Sequence, residues 1–174
     1  MEKKYLVGMF SVLVLAMFVV GMNIGNVKDS TAGDNLKYGS DVCIYKNDEL
    51  IECKHNTVTT AGLNMVASAL AYGEAMVITN LTLGNGTTPI AAHTALDSLW
   101  ITGGLEGATG TVNSNGNGNW SVAHTWTSTG DTQLVNITGL YNATNNILFA
   151  GTSFTATTLQ TDDQLKVNYT LYVT

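Results

Sequence analysis

Residues 164–174 of this chain read QLKVNYTLYVT, and this stretch decides the fold class. Its apolar side chains occupy every second position: Leu165, Val167, Tyr169, Leu171 and Val173. The positions between them are polar or amphipathic: Lys166, Asn168, Thr170, Tyr172 and Thr174. Such alternation predicts a β-strand with one buried face and one solvated face, which is typical of antiparallel sheets.

Four earlier stretches show the same period of two, and turn-forming residues separate them. They are residues 76–83, 120–127, 133–141 and 146–156. Several short strands joined by turns predict an all-β, antiparallel β-sandwich. In the first stretch, Val77, Leu81 and Leu83 are expected on the buried face. Residues 113–119, NSNGNGN, are too rich in Gly and Asn to pack and predict an exposed loop.

One segment departs from the strand period and predicts a short helix. Within residues 56–72, the apolar side chains at helical spacing are Leu63, Val66, Ala67 and Leu70. Thr59 or Thr60 can cap the start. We therefore expect a single amphipathic helix of about three turns, with these four residues on its apolar face.

The composition excludes several classes of protein. Hydrophobic residues make up 45% of the 174 residues, so the chain can bury a core and is not expected to be disordered. Charged residues make up only 11%, against about 25% in typical globular chains. All seven basic residues are Lys, and the net charge is −6. Because Arg supplies bidentate phosphate contacts and stacking, its absence argues against nucleic-acid binding.

The N-terminal region predicts export. Residues 5–24 read YLVGMFSVLVLAMFVVGMNI and follow two lysines. About 20 helical residues span roughly 30 Å, the thickness of the hydrocarbon layer of a bilayer. The segment fits a cleaved signal peptide or a retained membrane anchor, and either places the rest of the chain outside. The predicted parts are a signal peptide or anchor at 1–26, a linker at 27–39 and a sandwich domain with an N-terminal hairpin at 40–174.

The two cysteines flank a predicted β-hairpin. Residues 44–52, IYKNDELIE, separate Cys43 from Cys53. Folding symmetrically about the central Asp sets Cys43 opposite Cys53, and it sets Tyr45 opposite Ile51. Opposed cysteines at a non-hydrogen-bonded site lie within disulfide range, and closing so short a loop stabilises by about 2–3 kcal/mol. A disulfide agrees with export, whereas two free thiols in a reducing compartment are the alternative.

The sequence predicts no catalytic, metal or cofactor site. His55, His93 and His124 are far apart and lack metal-ligand spacing. The pair Asp162 and Asp163 lacks the further acidic neighbours that calcium needs, and it predicts a solvated turn before the last strand. Nucleophilic Ser motifs and phosphate-binding Gly loops are missing from the sequence. We therefore predict a non-enzymatic protein.

Aromatic residues suggest one binding hypothesis. Trp120 and Trp126 share a predicted strand face with His124. In the simpler interpretation, the His124 ring packs in the core or at its edge. In the alternative, the two indole rings stack on a carbohydrate, and Trp100 is a further candidate for such stacking.

Six Asn-x-Ser/Thr sequons are the most informative local motif. They begin at Asn80, Asn85, Asn119, Asn136, Asn142 and Asn168. With 17 Asn, about three sequons would arise by chance, so the observed set is about twice that number. In an exporting archaeon or eukaryote these sites predict a glycoprotein, whereas in most bacteria they would have no significance.

Five phrases follow one another along the second part of the chain. They are HNTVTTAGLNMVASAL at 55–70, LTLGNGTTP at 81–89, HTALDSL at 93–99, ITGLYNATNNILFAGTSF at 137–154 and LQTDDQLKVNYTLYV at 159–173. Their order resembles small β-domains of tail-fibre and other virion structural proteins of tailed phages, over about two thirds of the chain. The resemblance implies a structural or adhesive β-sandwich without catalytic residues. Those phage proteins lack an apolar N-terminal segment, so a related fold exported to a cell envelope is expected here.

These patterns predict an exported extracellular or cell-surface structural protein that assembles or adheres. Lys166 is the only Lys in the strands after Tyr72, so the sheet edges look poorly protected against another chain. We expect homo-oligomers or filaments formed by strand addition from residues 25–39 or the 40–55 hairpin, and membrane contact through the N-terminal segment if it is retained. The alternatives are a virion or tail-fibre protein and a carbohydrate-binding surface module.

Overall fold

The structure is a computed structural model that describes residues 38–173. The strands, in chain order, are β1 Tyr38–Lys46, β2 Glu49–His55, β3 Thr57–Val58, β4 Ile78–Gly84, β5 Ala108–Thr109, β6 Thr111–Gly116, β7 Asn119–Thr127, β8 Gln133–Asn142, β9 Leu148–Leu159 and β10 Gln164–Val173. One helix, α1 Thr60–Tyr72, lies between β3 and β4. The predicted signal peptide or anchor at 1–26 lies outside the described residues. Strand β1 begins two residues inside the predicted linker, because Tyr38 and Gly39 already pair with β10.

The strands form two five-stranded antiparallel sheets. The first sheet has the order β2-β1-β10-β7-β6, and the second has the order β3-β9-β8-β4-β5. One hydrophobic core joins them, with Val42 and Val167 from the first sheet and Leu81 and Phe149 from the second. The predicted all-β antiparallel fold with one short helix is therefore confirmed.

Strand β10 is the centre of the first sheet and behaves as its sequence predicts. It pairs with β1 on one side and with β7 on the other. Its alternate residues Leu165, Val167, Tyr169 and Leu171 are 0% exposed. Burial of this row against the second sheet fixes the register, because a shift by one residue would turn every one of these side chains outward.

Bulges break the simple alternation in the second sheet. The register of β4 against β8 shifts between Ile78 and Asn80, so Ile78 and Leu81 are both buried. Val77 precedes the strand and is 44% exposed, so its predicted place on the buried face is wrong. In β8 a second shift brackets Asn136. One extra residue at each bulge reverses the faces that follow it, which a period of two cannot anticipate.

The helix forms where it was predicted but presents a different face to the domain. The Thr59 side chain accepts a hydrogen bond from the Gly62 N–H, and Gly73 ends the helix at φ 69°. Gly62 is buried against the Phe149 carbonyl, which leaves no room for a Cβ atom. Val66 packs on the core, whereas the other three residues of the predicted face are exposed: Leu63, Ala67 and Leu70. The prediction of that face is wrong because almost every helix residue is small or apolar, and the close approach at Gly62 selects the buried side.

The hairpin turn is tighter than predicted. Asn47 and Asp48 both have positive φ and form a two-residue turn, the geometry that matches the twist of the flanking strands. The register of β1 against β2 shifts between Ile44 and Tyr45, and Ile51 of β2 is left without a partner. Tyr45 therefore lies opposite Leu50 rather than Ile51. The predicted pairing of Tyr45 is wrong by one residue, because the two-residue turn leaves one extra residue on β2.

Candidate functional site

Strand β6 is an exposed edge of the first sheet. It pairs with β7 on one side, and all six of its residues are exposed. Asn117 and Gly118, both with positive φ, make the turn into β7. The predicted loop at 113–119 is therefore wrong, since most of it belongs to two paired strands. The Gly and Asn content predicted a loop, but an edge strand joins a sheet through its backbone hydrogen bonds and does not need buried side chains.

The outer edge of β6 has the chemistry of an unprotected strand. Its sequence, TVNSNG, contains no charged residue and no Pro. Edge strands present unpaired N–H and C=O groups, and natural proteins commonly protect them with Lys, Pro or a covering segment. Within residues 38–173, the backbone of β6 pairs with β7 and makes no further backbone hydrogen bond on its outward side.

At this edge, an apolar side chain on the core side of the sheet is exposed to solvent. Val112 of β6 lies opposite Val122 of β7, which is 0% exposed and belongs to the core. Val112 therefore faces the core side of the sheet, yet it is 50% exposed. Next to it, Trp120 lies opposite Ser114 and packs edge-on against Tyr38, with ring centroids 5.8 Å apart. A further strand beside β6 would cover Val112.

The edge of the second sheet at β9 is covered by charged side chains. Glu52 of β2 accepts hydrogen bonds from the Thr155 backbone N–H at 2.9 Å and from the Thr155 hydroxyl at 3.2 Å. The Thr155 N–H, together with the neighbouring Lys54, holds the pKa of Glu52 below its ordinary value. Lys46 donates to the Thr158 carbonyl at 2.9 Å. These bonds occupy backbone groups of β9 that would otherwise be free to pair with another chain.

The free side of β4 and the β2 edge are also protected. The segment after β4 runs along that strand, where the Trp100 N–H donates to the Leu83 carbonyl at 3.0 Å and the Gly110 N–H to the Thr79 carbonyl at 2.8 Å. Strand β2, the other edge of the first sheet, carries four ionisable side chains: Glu49, Glu52, Lys54 and His55. Of the two edge strands longer than two residues in the range 38–173, β2 is charged, whereas β6 combines an open backbone with an uncharged sequence.

The predicted disulfide is present. Cys43 and Cys53 lie directly opposite each other in the β1–β2 pair and are bonded. The bond ties the β2 edge to β1, which in turn pairs along its whole length with β10. The hairpin is therefore an integral part of the first sheet.

A small ionisable cluster lies beside the disulfide. The Asp41 carboxylate is 2.7 Å from His55 Nδ1, and the Tyr172 hydroxyl is 3.3 Å from the same nitrogen. The side chains of Asp41 and His55 are 50% and 67% exposed. The residues come from three neighbouring strands, so their proximity could be found only from the strand register. Both side chains are exposed, so solvent strongly screens the interaction between them.

The six sequons occupy different environments. Asn142 is 4% exposed, and its side-chain oxygen accepts from the Val77 N–H at 3.3 Å and the Thr144 N–H at 3.1 Å. The Asn136 amide exchanges two hydrogen bonds with the Gly86 backbone, at 2.9 and 3.0 Å. Both amides hold the fold together, so a glycan on either is incompatible with these contacts. Of the other four, Asn85 is exposed, and the remaining three are half-buried: Asn80, Asn119 and Asn168.

The tryptophans lie in or against the core. Trp126 is 3% exposed, and its indole N–H donates to the Glu106 carbonyl at 2.7 Å. Trp120 is half-buried against the core, so the pair does not form the open stacking surface that the carbohydrate hypothesis requires. His124 packs edge-on against Trp126 at 4.6 Å, and burial lowers its pKa, which agrees with the simpler interpretation of a packed ring.

Residues 38–173 do not gather metal ligands at one place. Within residues 38–173, no three His, Cys, Asp or Glu side chains come together as a metal site would need. Asp163 lies in a turn and pairs with Lys46 at 2.9 Å. A cleft of about 490 Å³ beside α1 is lined by Met65, Met76 and Asn142, among others, with Glu74 as its ionisable group.

None of the helices in this part of the chain is both long and apolar enough to cross a membrane.

No family model, curated protein or solved structure matches this chain. The resemblance to phage tail-fibre domains therefore stays a prediction from the sequence.

Proposed function

We propose that this chain is an exported structural protein of a cell or particle surface, and that its folded domain associates with a second copy through the β6 edge. The open, uncharged edge of β6 is the observation that carries the proposal. The Cys43–Cys53 disulfide supports a location in an oxidising compartment. A non-enzymatic role agrees with the sequence, which carries no recognisable catalytic motif.

The partner strand in this proposal is β6 of the second copy. Within the hairpin of residues 40–55, β1 is already paired on both sides, so only β2 has a free edge. Two β6 strands can pair antiparallel across a two-fold axis, which gives each copy the same contacts. They meet without charge repulsion, whereas a β2–β2 pair would bring carboxylates from both copies together. The pairing would also bury the exposed Val112 side chains of both copies on the core side of the sheet.

Sedimentation of residues 27–174 tests this assembly. We expect a dimer that a charge on β6 disrupts, so Val112→Lys should give a monomer, because it places two ammonium groups at the pairing site. Thr127→Lys is the matched control, since Thr127 is exposed on β7 beyond the residues that pair with β6. A monomeric parent protein at high micromolar concentration, or an unchanged dimer with Val112→Lys, would contradict the proposal.

Labelling with an antibody against the folded domain tests the location. We expect negatively stained intact cells or particles to carry the label on their outer surface. The image also distinguishes a cell envelope from a virion. Label confined to the cytoplasm of opened cells would refute export.

A further inference from the structure

Helix α1 carries an apolar stripe that its own domain does not cover. The outer stripe consists of Leu63, Ala67 and Leu70, at positions i, i+4 and i+7. Leu63 is 47% exposed and Leu70 is 70% exposed, and Ala67 lies exposed between them. A surface helix normally turns charged or polar residues outward. This helix contains no charged residue at all.

The apolar surface extends beyond the helix. The Thr60 N–H at the first turn donates to the Ala91 carbonyl at 2.7 Å, so the loop around residue 91 lies against the start of α1. Ile90 in that loop is 54% exposed. Tyr72, the last helix residue, is 81% exposed and has the apolar ring and polar tip common at membrane interfaces.

The polypeptide enters the described domain beside this helix. Tyr38, the first residue of β1, packs edge-on against Phe149 at 5.9 Å, and the Phe149 backbone lies against Gly62 of α1. The Asn56 N–H, three residues before the helix N-cap Thr59, donates to the Ser40 carbonyl at 3.0 Å. Residues 25–37 separate the apolar segment 5–24 from Tyr38, and this length can reach at most about 45 Å.

We propose that the outer stripe of α1 lies in the interfacial layer of the membrane that residues 5–24 enter. The proposal rests on the exported surface function and commits it to a retained anchor rather than a cleaved signal peptide. A tether keeps the helix close to the bilayer, so even a weak apolar contact is populated. The two leucines and one alanine of the stripe expose far less than the roughly 800 Å² that each partner contributes to a stable protein interface, which favours lipid over a second copy as the occupant.

The chemistry of the stripe specifies the kind of lipid contact. Because α1 has no Lys or Arg, anionic headgroups contribute no attraction, and apolar burial must supply the affinity. Docking should therefore occur on neutral phosphatidylcholine vesicles. It should also persist at about 1 M salt, where the Debye length is only about 3 Å.

Spin labelling of the full chain in phosphatidylcholine vesicles tests the proposal. A nitroxide attached through Leu70→Cys should collide more often with oxygen, which concentrates in lipid, than with a water-soluble nickel complex. The control nitroxide is attached through Thr127→Cys, at an exposed position of β7, and should show the reverse preference. Adding Leu63→Ser to the labelled chain should lower the ratio of docked to undocked helix by about tenfold, the expected effect of losing one buried Leu.

The outcomes separate this inference from the function on which it rests. Vesicle flotation at alkaline pH first establishes whether the chain is anchored. If the chain floats and the nitroxide at position 70 is as open to nickel as the control, the helix proposal fails while the anchor stands. If the chain does not float, the retained anchor and the helix proposal both fail, but assembly through β6 does not. Release of the helix by salt would overturn the apolar mechanism.

Discussion

Replacing Tyr141 by Phe tests what holds the segment between β4 and β5 on the second sheet. The Tyr141 hydroxyl accepts a hydrogen bond from the Leu96 N–H at 2.7 Å, and the two residues are 2% and 7% exposed. Leu96 and Tyr141 pack with Ile137 and Leu148 in an apolar cluster separate from the main core. Removing the hydroxyl leaves a buried N–H without an acceptor, which costs about 1–3 kcal/mol.

Tyr169→Phe is the matched control, because it removes the same atom from a different environment. Tyr169 is 0% exposed, and its hydroxyl has no hydrogen-bond partner among the described residues. The Thr138 hydroxyl is close but does not complete a bond, and it donates its own proton to the Thr82 carbonyl at 3.0 Å. Deleting an unsatisfied buried hydroxyl should leave stability unchanged or raise it by up to about 1 kcal/mol.

The assay is equilibrium unfolding of residues 27–174 in urea, followed by tryptophan fluorescence. The difference between the two variants should be at least about 1 kcal/mol, with Tyr141→Phe the less stable. The unfolding slope should stay constant, so that the midpoints report stability alone. Equal midpoints for the two variants would refute the assignment of a structural hydrogen bond to Tyr141.

Two further predictions concern the tie between the hairpin and the first sheet. The Gln160 N–H, followed by Lys46 and Asn47, holds the pKa of Asp163 well below its ordinary value, so its stabilisation exists above the unfolded pKa of about 3.9 and is lost as pH falls through the lower folded pKa. Asp163→Asn should therefore be less stable at neutral pH, and urea midpoints should converge on those of the parent protein in acid; a constant gap would contradict this. Replacing both Cys43 and Cys53 by Ser opens a loop with a sequence separation of 10 and should cost about 2–3 kcal/mol in the same assay, whereas an unchanged midpoint would show that the bond does not constrain the unfolded chain.

Strict alternation made the central strands predictable from sequence. In β10, four residues of one row are fully buried, as the period of two requires. The Cys43–Cys53 pairing was predictable for a related reason, because a short hairpin fixes which residues lie opposite each other. Departures begin at bulges, where one extra residue, Asn136 in β8 or Ile51 in β2, changes the faces or partners that follow. Their positions depend on contacts with other strands, which no local pattern contains.

The candidate surfaces were harder to predict because their signals are weak or misleading. Residues 113–116 look like loop by composition, although they lie in an edge strand whose pairing depends on the backbone. The apolar spacing of Leu63 and Leu70 is present in the sequence, but it indicates burial without identifying the partner. Only the position of Gly62 against Phe149 shows that the domain packs on another side of the helix. The apolar spacing thus correctly predicted an amphipathic helix, but it did not predict which side of the helix packs on the domain.

Cross-linking between copies tests the role of β6 most directly. Single cysteines at positions 111 to 114 are introduced into the full chain, and the natively exported protein is oxidised and digested for mass spectrometry. Antiparallel pairing across a two-fold axis sets one residue directly opposite its own copy, within disulfide range. We predict a sharp maximum of linked dimer within this series and none with Thr127→Cys. No dimer at any of the four positions, or equal dimer with Thr127→Cys, would contradict assembly through β6.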